Sequence, residues 1–474
     1  MRIADPGSVL IARQLYEGLT RWDPVAEEVK PAAARSWSTS RDGRTFTFRL
    51  RRGMTFHDGT RVTAEDFRYA FDRIAFKGNA SDLAYTLERV DGFAAVNRRG
   101  TKRHLAGITT PNDHTLRFSL ARPTLDLPTV LTHPGLVPLP KRAVRRYDEF
   151  VARPIGNGSF QMAAGWTGSG PVVLEAFDGA IDVPEVEVIR FVPFDDAAVS
   201  WIPFTEERLD VAEVPAGQIA SAAEEFGDRG YLPLLAGLYF GFQLESPPFR
   251  EQELREAISR AIDRKSIARE IFSGTLEAPR GIVPDGMPGF SADACPELCS
   301  HAPKAARRLV KRIPATRRKV TIDFDRDMLQ ARVARAVKRD LEGAGLQVKL
   351  RPTPIERYLE RLAAGKASMY RFGWIAQFPA PSVFLSELFR SDSPDNHSGF
   401  ASPRIDSLLR RAQAQADEHK RVELWRRAEK LILRRVPVVP IGSFTMHWAA
   451  QPRVKEIFFD VMGGFDAATV SLGG

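Results

Sequence analysis

The sequence predicts an α/β protein of two or three lobes, and three observations carry that prediction. Its 474 residues exceed what one ordinary hydrophobic core accommodates. Apolar residues alternate at Phe46, Phe48 and Leu50, and again at Leu116, Phe118 and Leu120, as in half-buried strands. A strand over 320–324, a helical pattern over 328–344 and a strand over 348–350 read as a right-handed βαβ unit with parallel strands.

Taken in order, residues 2–4 read as a strand and 10–19 as a helix. Thr63 is placed to cap a helix, with Asp66 at the reciprocal position and Phe67, Ala70, Phe71 and Ile74 as its buried stripe. His57-Asp58-Gly59 lies between strand and helix, where a turn is the economical reading and a catalytic His–Asp pair the costlier one. Residues 32–153 therefore read as a small α+β domain. Gly156-Asn157-Gly158 punctuates strands; no Gly-Lys-Ser/Thr follows, so it is no phosphate loop. Strands follow over 172–174, 187–192, 209–212 and 238–244. One helix is expected across 251–272, with Leu254, Ile258, Ala261 and Ile262 inward. After a helix over 355–364, a strand over 369–374 ends in Gly373-Trp374. Pro379 and Pro381 then stiffen a loop, and Ser382 is placed to cap a helix bearing Phe384, Leu385, Leu388 and Phe389. Helices over 402–416 and 419–435 and a strand over 436–441 complete the pattern.

Composition narrows the function. Hydrophobic residues make up 43% and charged residues 27%, ordinary for a soluble globular chain. No apolar run approaches the roughly 18 residues of a membrane span. The net charge of +9 is scattered, apart from 307–319 and 421–435, and reads as a solvated basic exterior rather than a nucleic-acid surface. The second of those runs interleaves charge with Leu424, Trp425, Ala428, Leu431 and Ile432 at helical spacing. Met1 to Pro6 shows neither the charged nor the apolar region of a signal peptide. Cys295 and Cys299 read as a small surface-loop disulfide, with two reduced thiols as the alternative; zinc needs ligands beyond the nearby His301. An oxidised pair implies an oxidising compartment. There is no Gly-x-Ser-x-Gly and no His-Glu-x-x-His, and the eight histidines are dispersed. No enzyme, cofactor or metal is expected.

Several stretches resemble one family, in order along the chain. Gln14 to Thr20 is similar to a first cleft helix. Pro31 to Ala34, Trp37, Asp42-Gly43 and Thr45 to Leu50 match a "P-x-L-A-x-x-W … D-G-x-x-Y-T-F-x-L" pattern. Phe56-His57-Asp58-Gly59 and Val62 to Phe67 continue it. Pro154 to Phe160 resembles "P-x-G-T-G-P-Y", and Ala257 to Arg264 resembles "A-L-x-x-A-I-D-R". Gly373-Trp374-Ile375-Ala376, Pro381 and Phe384-Leu385 resemble a cleft strand and its following loop. The family is the extracellular solute-binding proteins of family 5, the peptide-, dipeptide- and nickel-binding receptors of ABC importers. The resemblance implies a two-lobed periplasmic-binding-protein-like fold (class II, cluster C type) with an additional small α+β domain. Lobe I is expected from 1–31, 154–236 and 436–474, the small domain from 32–153, and lobe II from 237–435.

It also implies capture of a small peptide or peptide-like ligand by lobe closure, handed to ABC permease subunits. A monomer with no nucleic-acid partner is expected, outside the cytoplasm if a signal segment was removed. A cytosolic ligand sensor of the same fold is the alternative, and a peptide or glycoside hydrolase the more remote one. Ligand-lining residues are expected at Tyr16, Glu17, Tyr239, Phe240, Arg371, Gly373, Trp374, Gln377 and Phe378. Arg371 stands where family peptide binders carry an arginine for the ligand carboxylate. Gln377 stands where they usually carry the aspartate that pairs a free amino terminus.

Overall fold

The computed structural model describes residues 6–473. The expected strand at 2–4 lies outside them. The chain divides into two compact units, Met1–Glu213 with Ala449–Gly474, and Val214–Trp448.

In the first unit, α1 (Pro6–Leu15) stops short of the 10–19 span expected from periodicity. The Tyr16 N–H still bonds the Ala12 carbonyl at 3.0 Å, after which the chain leaves the helix for the hairpin of β1 (Thr20–Asp23) and β2 (Glu28–Pro31). Next come β3 (Ala34–Thr39), β4 (Thr45–Leu50), α2 (Ala64–Ala75), β5 (Ile108–Asn112) and β6 (Thr115–Ser119). The four strands form a sheet of order β3-β4-β6-β5. Phe46, Phe48, Leu50, Leu116 and Phe118 face one side by strand alternation and are buried with Phe67 and Phe71 of α2. The Phe118 ring lies 5.7 Å from Phe48 and 5.6 Å from Phe71. Each such ring contributes about 1.5–3 kcal/mol by leaving water. The start of α2 is as read from sequence: the Asp66 carboxylate accepts the Thr63 N–H at 2.8 Å and its hydroxyl at 2.7 Å. Three short helices follow, α3 (Leu127–Val130), α4 (Lys141–Val144) and α5 (Tyr147–Ala152). A sheet of β7 (Phe160–Met162), β8 (Val172–Ala176) and β9 (Val188–Phe191) precedes α6 (Ala197–Thr205) and β10 (Val211–Glu213).

The second unit begins with α7 (Ile219–Phe226) and the long strand β11 (Gly230–Phe242). Then come α8 (Gln252–Ala261), α9 (Arg264–Ile271), β12 (Leu276–Glu277) and α10 (Pro303–Arg312). The βαβ unit is β13 (Lys319–Asp325), α11 (Met328–Gly343) and β14 (Gln347–Thr353), with the strands parallel as expected. It is followed by α12 (Ile355–Ala363), β15 (Met369–Ile375), α13 (Ser382–Phe389), α14 (Pro403–Ala414), α15 (Glu418–Leu433) and β16 (Val438–Ala450). Within this unit the sheet runs β16-β11-β15-β13-β14, with β12 against β16. Back in the first unit, β17 (Val454–Glu456) pairs β18 (Ser471–Leu472) antiparallel.

Two expectations are corrected here. The single helix over 251–272 is two, because Asp263 turns the chain and caps α9, its carboxylate accepting the Ser266 N–H at 3.0 Å. Arg264 then spends its donors on the carbonyls of Ser259 at 2.8 Å and Pro440 at 2.6 Å, which ties the break to β16. Ser382 sits inside α13 rather than capping it, with Pro381 at the cap position. By contact, residues 214–236 and 436–448, which the resemblance places in lobe I, group with the second unit, since β11 and β16 each run 13 residues and pair there. Cys295 and Cys299 are disulfide-bonded in the loop between β12 and α10. Among the described residues no helix is long and apolar enough to cross a membrane.

Candidate ligand-binding site

In the first unit, Tyr16 and Glu17 follow α1 and are held by the Pro154 to Phe160 motif. Asn157 clamps the Glu17 main chain from both sides: its Oδ1 accepts the Glu17 N–H at 3.1 Å, and its Nδ2 donates to the Glu17 carbonyl at 3.0 Å. The Gly158 N–H bonds the Leu15 carbonyl at 2.9 Å. A Cβ on Gly156 would lie 1.8 Å from the Leu15 oxygen, so only glycine allows this approach. His57 fixes the same loop. Its Nδ1 accepts the Gly156 N–H at 3.1 Å, and its Nε2 lies 3.2 Å from the Gly158 carbonyl. Those partners require the neutral ring with its proton on Nε2, and burial holds the imidazole down to about 4. The turn reading of His57 thus gains a reason: it is a brace for the glycine loop. Tyr16 is buried. Burial pushes the Glu17 carboxyl up to about 8, with Arg21 pulling the other way.

In the second unit, β15 pairs β11 antiparallel along its whole length, with Phe240 opposite Arg371, Tyr239 opposite Phe372 and Gly237 opposite Trp374. Strand alternation puts Tyr370, Phe372 and Trp374 on one face and Arg371 and Gly373 on the other. Arg371 and Trp374, expected together, therefore point to opposite sides of the sheet. On the aromatic side Phe372 stacks on Trp374 at 5.6 Å, and His397 meets Phe372 edge-on. The Trp374 indole N–H is already given to the Val383 carbonyl at 2.8 Å. Tyr239 is buried there too, its hydroxyl donated to the Ile282 carbonyl at 2.6 Å. The remaining space among Tyr239, Tyr370, Phe372 and His397 is about 10 Å³, room for one water. Phe240 and Phe378 are buried, whereas Arg371, Gly373, Trp374 and Gln377 are half-buried.

The Arg371 side is different. Its Nη1 stands 4.0 Å from Asp325 Oδ1, at the limit of an ion pair. Both the Arg371 Nε and that Asp325 oxygen are buried without a hydrogen-bond partner. Burial lowers Arg371 and the Asp325 charge acts against it. Pairing of β13 with β15 extends through Asp323 and Tyr370, while β15 continues to Ile375. Main-chain groups alternate in direction, and Ala376 bonds back to Leu235 on β11. Gly373 and Ile375 therefore aim their N–H and C=O away from β11, where β13 no longer covers them. This edge lies at the carboxyl ends of the parallel strands, where α/β sheets commonly hold ligands.

A model of the bacterial extracellular solute-binding proteins, family 5 Middle, matches residues 28–396. The chain belongs to this family. The family 5 protein is 27% identical over 477 residues to the oligopeptide-binding protein OppA of Bacillus subtilis, spanning 96% of this chain and 86% of the relative. It is 26% identical over 479 residues to the probable deoxycholate-binding periplasmic protein YgiS of Escherichia coli, covering 98% and 87%. The solved structure of the Escherichia coli murein tripeptide binding protein MppA matches with a TM-score of 0.80 at 23% identity, over 99% of this chain and 95% of that one. The two-lobed fold expected from sequence is thereby shown.

Sequence reading missed Asp325, Asn157 and the bracing role of His57 in this family 5 protein. A signal for Asp325 was present in the alternating acids of Asp323-Phe324-Asp325-Arg326-Asp327. Asp323 is fully buried against Arg351 at 3.1 Å and Arg361 at 3.3 Å, and Asp327 caps α11. Asp325 between them is left for Arg371. Among the described residues no group of three or more His, Cys, Asp or Glu is arranged to hold a metal.

Proposed function

We propose that this chain captures a peptide or peptide-like solute outside the cytoplasm and passes it, unaltered, to the permease of an ABC-type importer. It acts as a monomer. The observation that carries the reading is the uncovered main-chain edge at Gly373 and Ile375 beside the half-made Arg371–Asp325 pair. An extended ligand adds to such an edge as one more strand, and the guanidinium forks onto its carboxylate. The relative named as an oligopeptide-binding protein supports this class of ligand. The name of the probable deoxycholate-binding relative adds amphipathic solutes to those worth testing.

Gln377 carries no charge to meet a free ammonium, and an unpaired buried ammonium costs several kcal/mol. Glu17, held mostly protonated at neutral pH, is a poor substitute. Amino-blocked peptides are therefore the favoured ligands.

Isothermal titration with an acetylated tripeptide tests the assignment of Arg371. Arg371→Ala should weaken binding at least about tenfold, and Asp325→Asn should strengthen it by removing the competing carboxylate. The amide of the same peptide should lose affinity for the parent protein but be indifferent to Arg371→Ala. Equal loss of acid and amide binding in Arg371→Ala would refute the carboxylate role.

A further inference from the structure

The first unit also holds a basic groove. It encloses about 430 Å³ and is lined by Arg35, Arg51 and Arg52 with Gly53, Gly179 and Ile181 among its walls. Among the described residues no carboxylate lines it. Elsewhere in this unit arginines meet acids: Arg21 pairs Asp182, Arg68 pairs Glu65 and Arg13 pairs Asp460. Among the described residues none of the three groove arginines has such a partner; Arg51 gives its Nε–H to the Ala32 carbonyl at 2.8 Å. The acid that Arg51 does act on at a distance, Glu17, is largely neutral.

Local structure explains how three like charges come to share one wall. Ala34 pairs Leu50 and Ser36 pairs Arg49, so Arg35 is the extra residue of a β-bulge in β3. A bulge re-aims the side chain it carries. Arg51 and Arg52 leave the end of β4, and Gly53, at φ +80°, turns the chain back. Like charges set side by side without an acid repel one another, and a bound anion removes that repulsion. The planar donors of arginine match the oxygens of phosphate in pairs.

We propose that Arg35, Arg51 and Arg52 of the first unit form a second site that binds a phosphate-bearing anion. The phosphate belongs either to a lipid headgroup or to a small soluble molecule, and the site takes one anionic group of two or more negative charges.

The full chain is titrated calorimetrically with inorganic pyrophosphate and, separately, sedimented with vesicles of phosphatidylglycerol or of phosphatidylcholine. Arg35→Ser with Arg52→Ser changes two exposed side chains; Arg308→Ser with Arg410→Ser removes the same charge from exposed positions in the second unit. Saturable 1:1 pyrophosphate binding is expected, weakened at least about tenfold by the groove pair and unchanged by the control pair. Groove-dependent sedimentation with phosphatidylglycerol, and not with phosphatidylcholine, assigns the phosphate to lipid; pyrophosphate binding without sedimentation assigns it to a soluble molecule. Absence of both, or equal loss in the two double variants, overturns the site.

Discussion

Glu429 is a buried acid whose Oε1 accepts the N–H groups of Ile282 at 2.6 Å and Val283 at 2.9 Å, while its Oε2 is buried and unpaired. Burial pushes its carboxyl up to about 7. The folded chain thus holds a proton that the unfolded chain releases above the ordinary carboxylate range. Stability associated with Glu429 is present below about 4.5 and is lost as pH rises through 7. Glu17 acts in the same direction, up to about 8. His57 acts oppositely: its folded value near 4 lies below the free value, so stability is lost as pH falls from 6.5 toward 4. Glu429→Gln keeps the acceptor for both N–H groups and cannot ionise. Its melting temperature should match the parent near pH 5 and exceed it increasingly toward pH 8. A constant offset across that range would mean that Glu429 is not protonated in the folded state. The same residue bears on the site, because the Ile282 it orders accepts the Tyr239 hydroxyl.

At the scale of the element, β15 does two jobs on its two sides. Its pairing with β11 is complete, whereas its other side is open beyond Tyr370. Hydrogen exchange should show this directly. The amides of Phe372 and Trp374 should exchange slowly with or without ligand. Those of Gly373 and Ile375 should exchange quickly in the free protein and become protected on binding; no change at Gly373 would exclude strand addition. The existence of β15 was legible in the sequence, as was α2 with its Thr63–Asp66 start, because period-two and period-3.6 patterns and a local cap decide both. The break between α8 and α9 was less legible, since Leu254 to Ile262 keep a helical stripe up to the residue before Asp263. Asp263 as the cap of a second helix is the local signal that the stripe hides, and the tie of Arg264 to Pro440, which no local pattern contains, holds the break in place. That Arg371 and Trp374 lie on opposite faces of β15 follows from their spacing of three in a strand, which a list of lining residues does not express.

At the scale of the whole molecule, the order of motifs along the chain carried the family and the two-lobed fold. Where the chain passes from one unit to the other was not carried, because β11 and β16 each run well beyond the strand spans read from sequence at 238–244 and 436–441. Nor does any periodic pattern mark a binding edge, which exists only where one strand outruns its neighbour. The central claim is that such an edge takes an extended, amino-blocked ligand and releases it unchanged. Native mass spectrometry of the protein mixed with equal pools of acetylated and free-amine tripeptides tests this most directly. The account predicts 1:1 complexes drawn from the acetylated pool, each releasing a peptide of unaltered mass on unfolding. Complexes formed only with free-amine peptides, or peptides recovered cleaved, would contradict it.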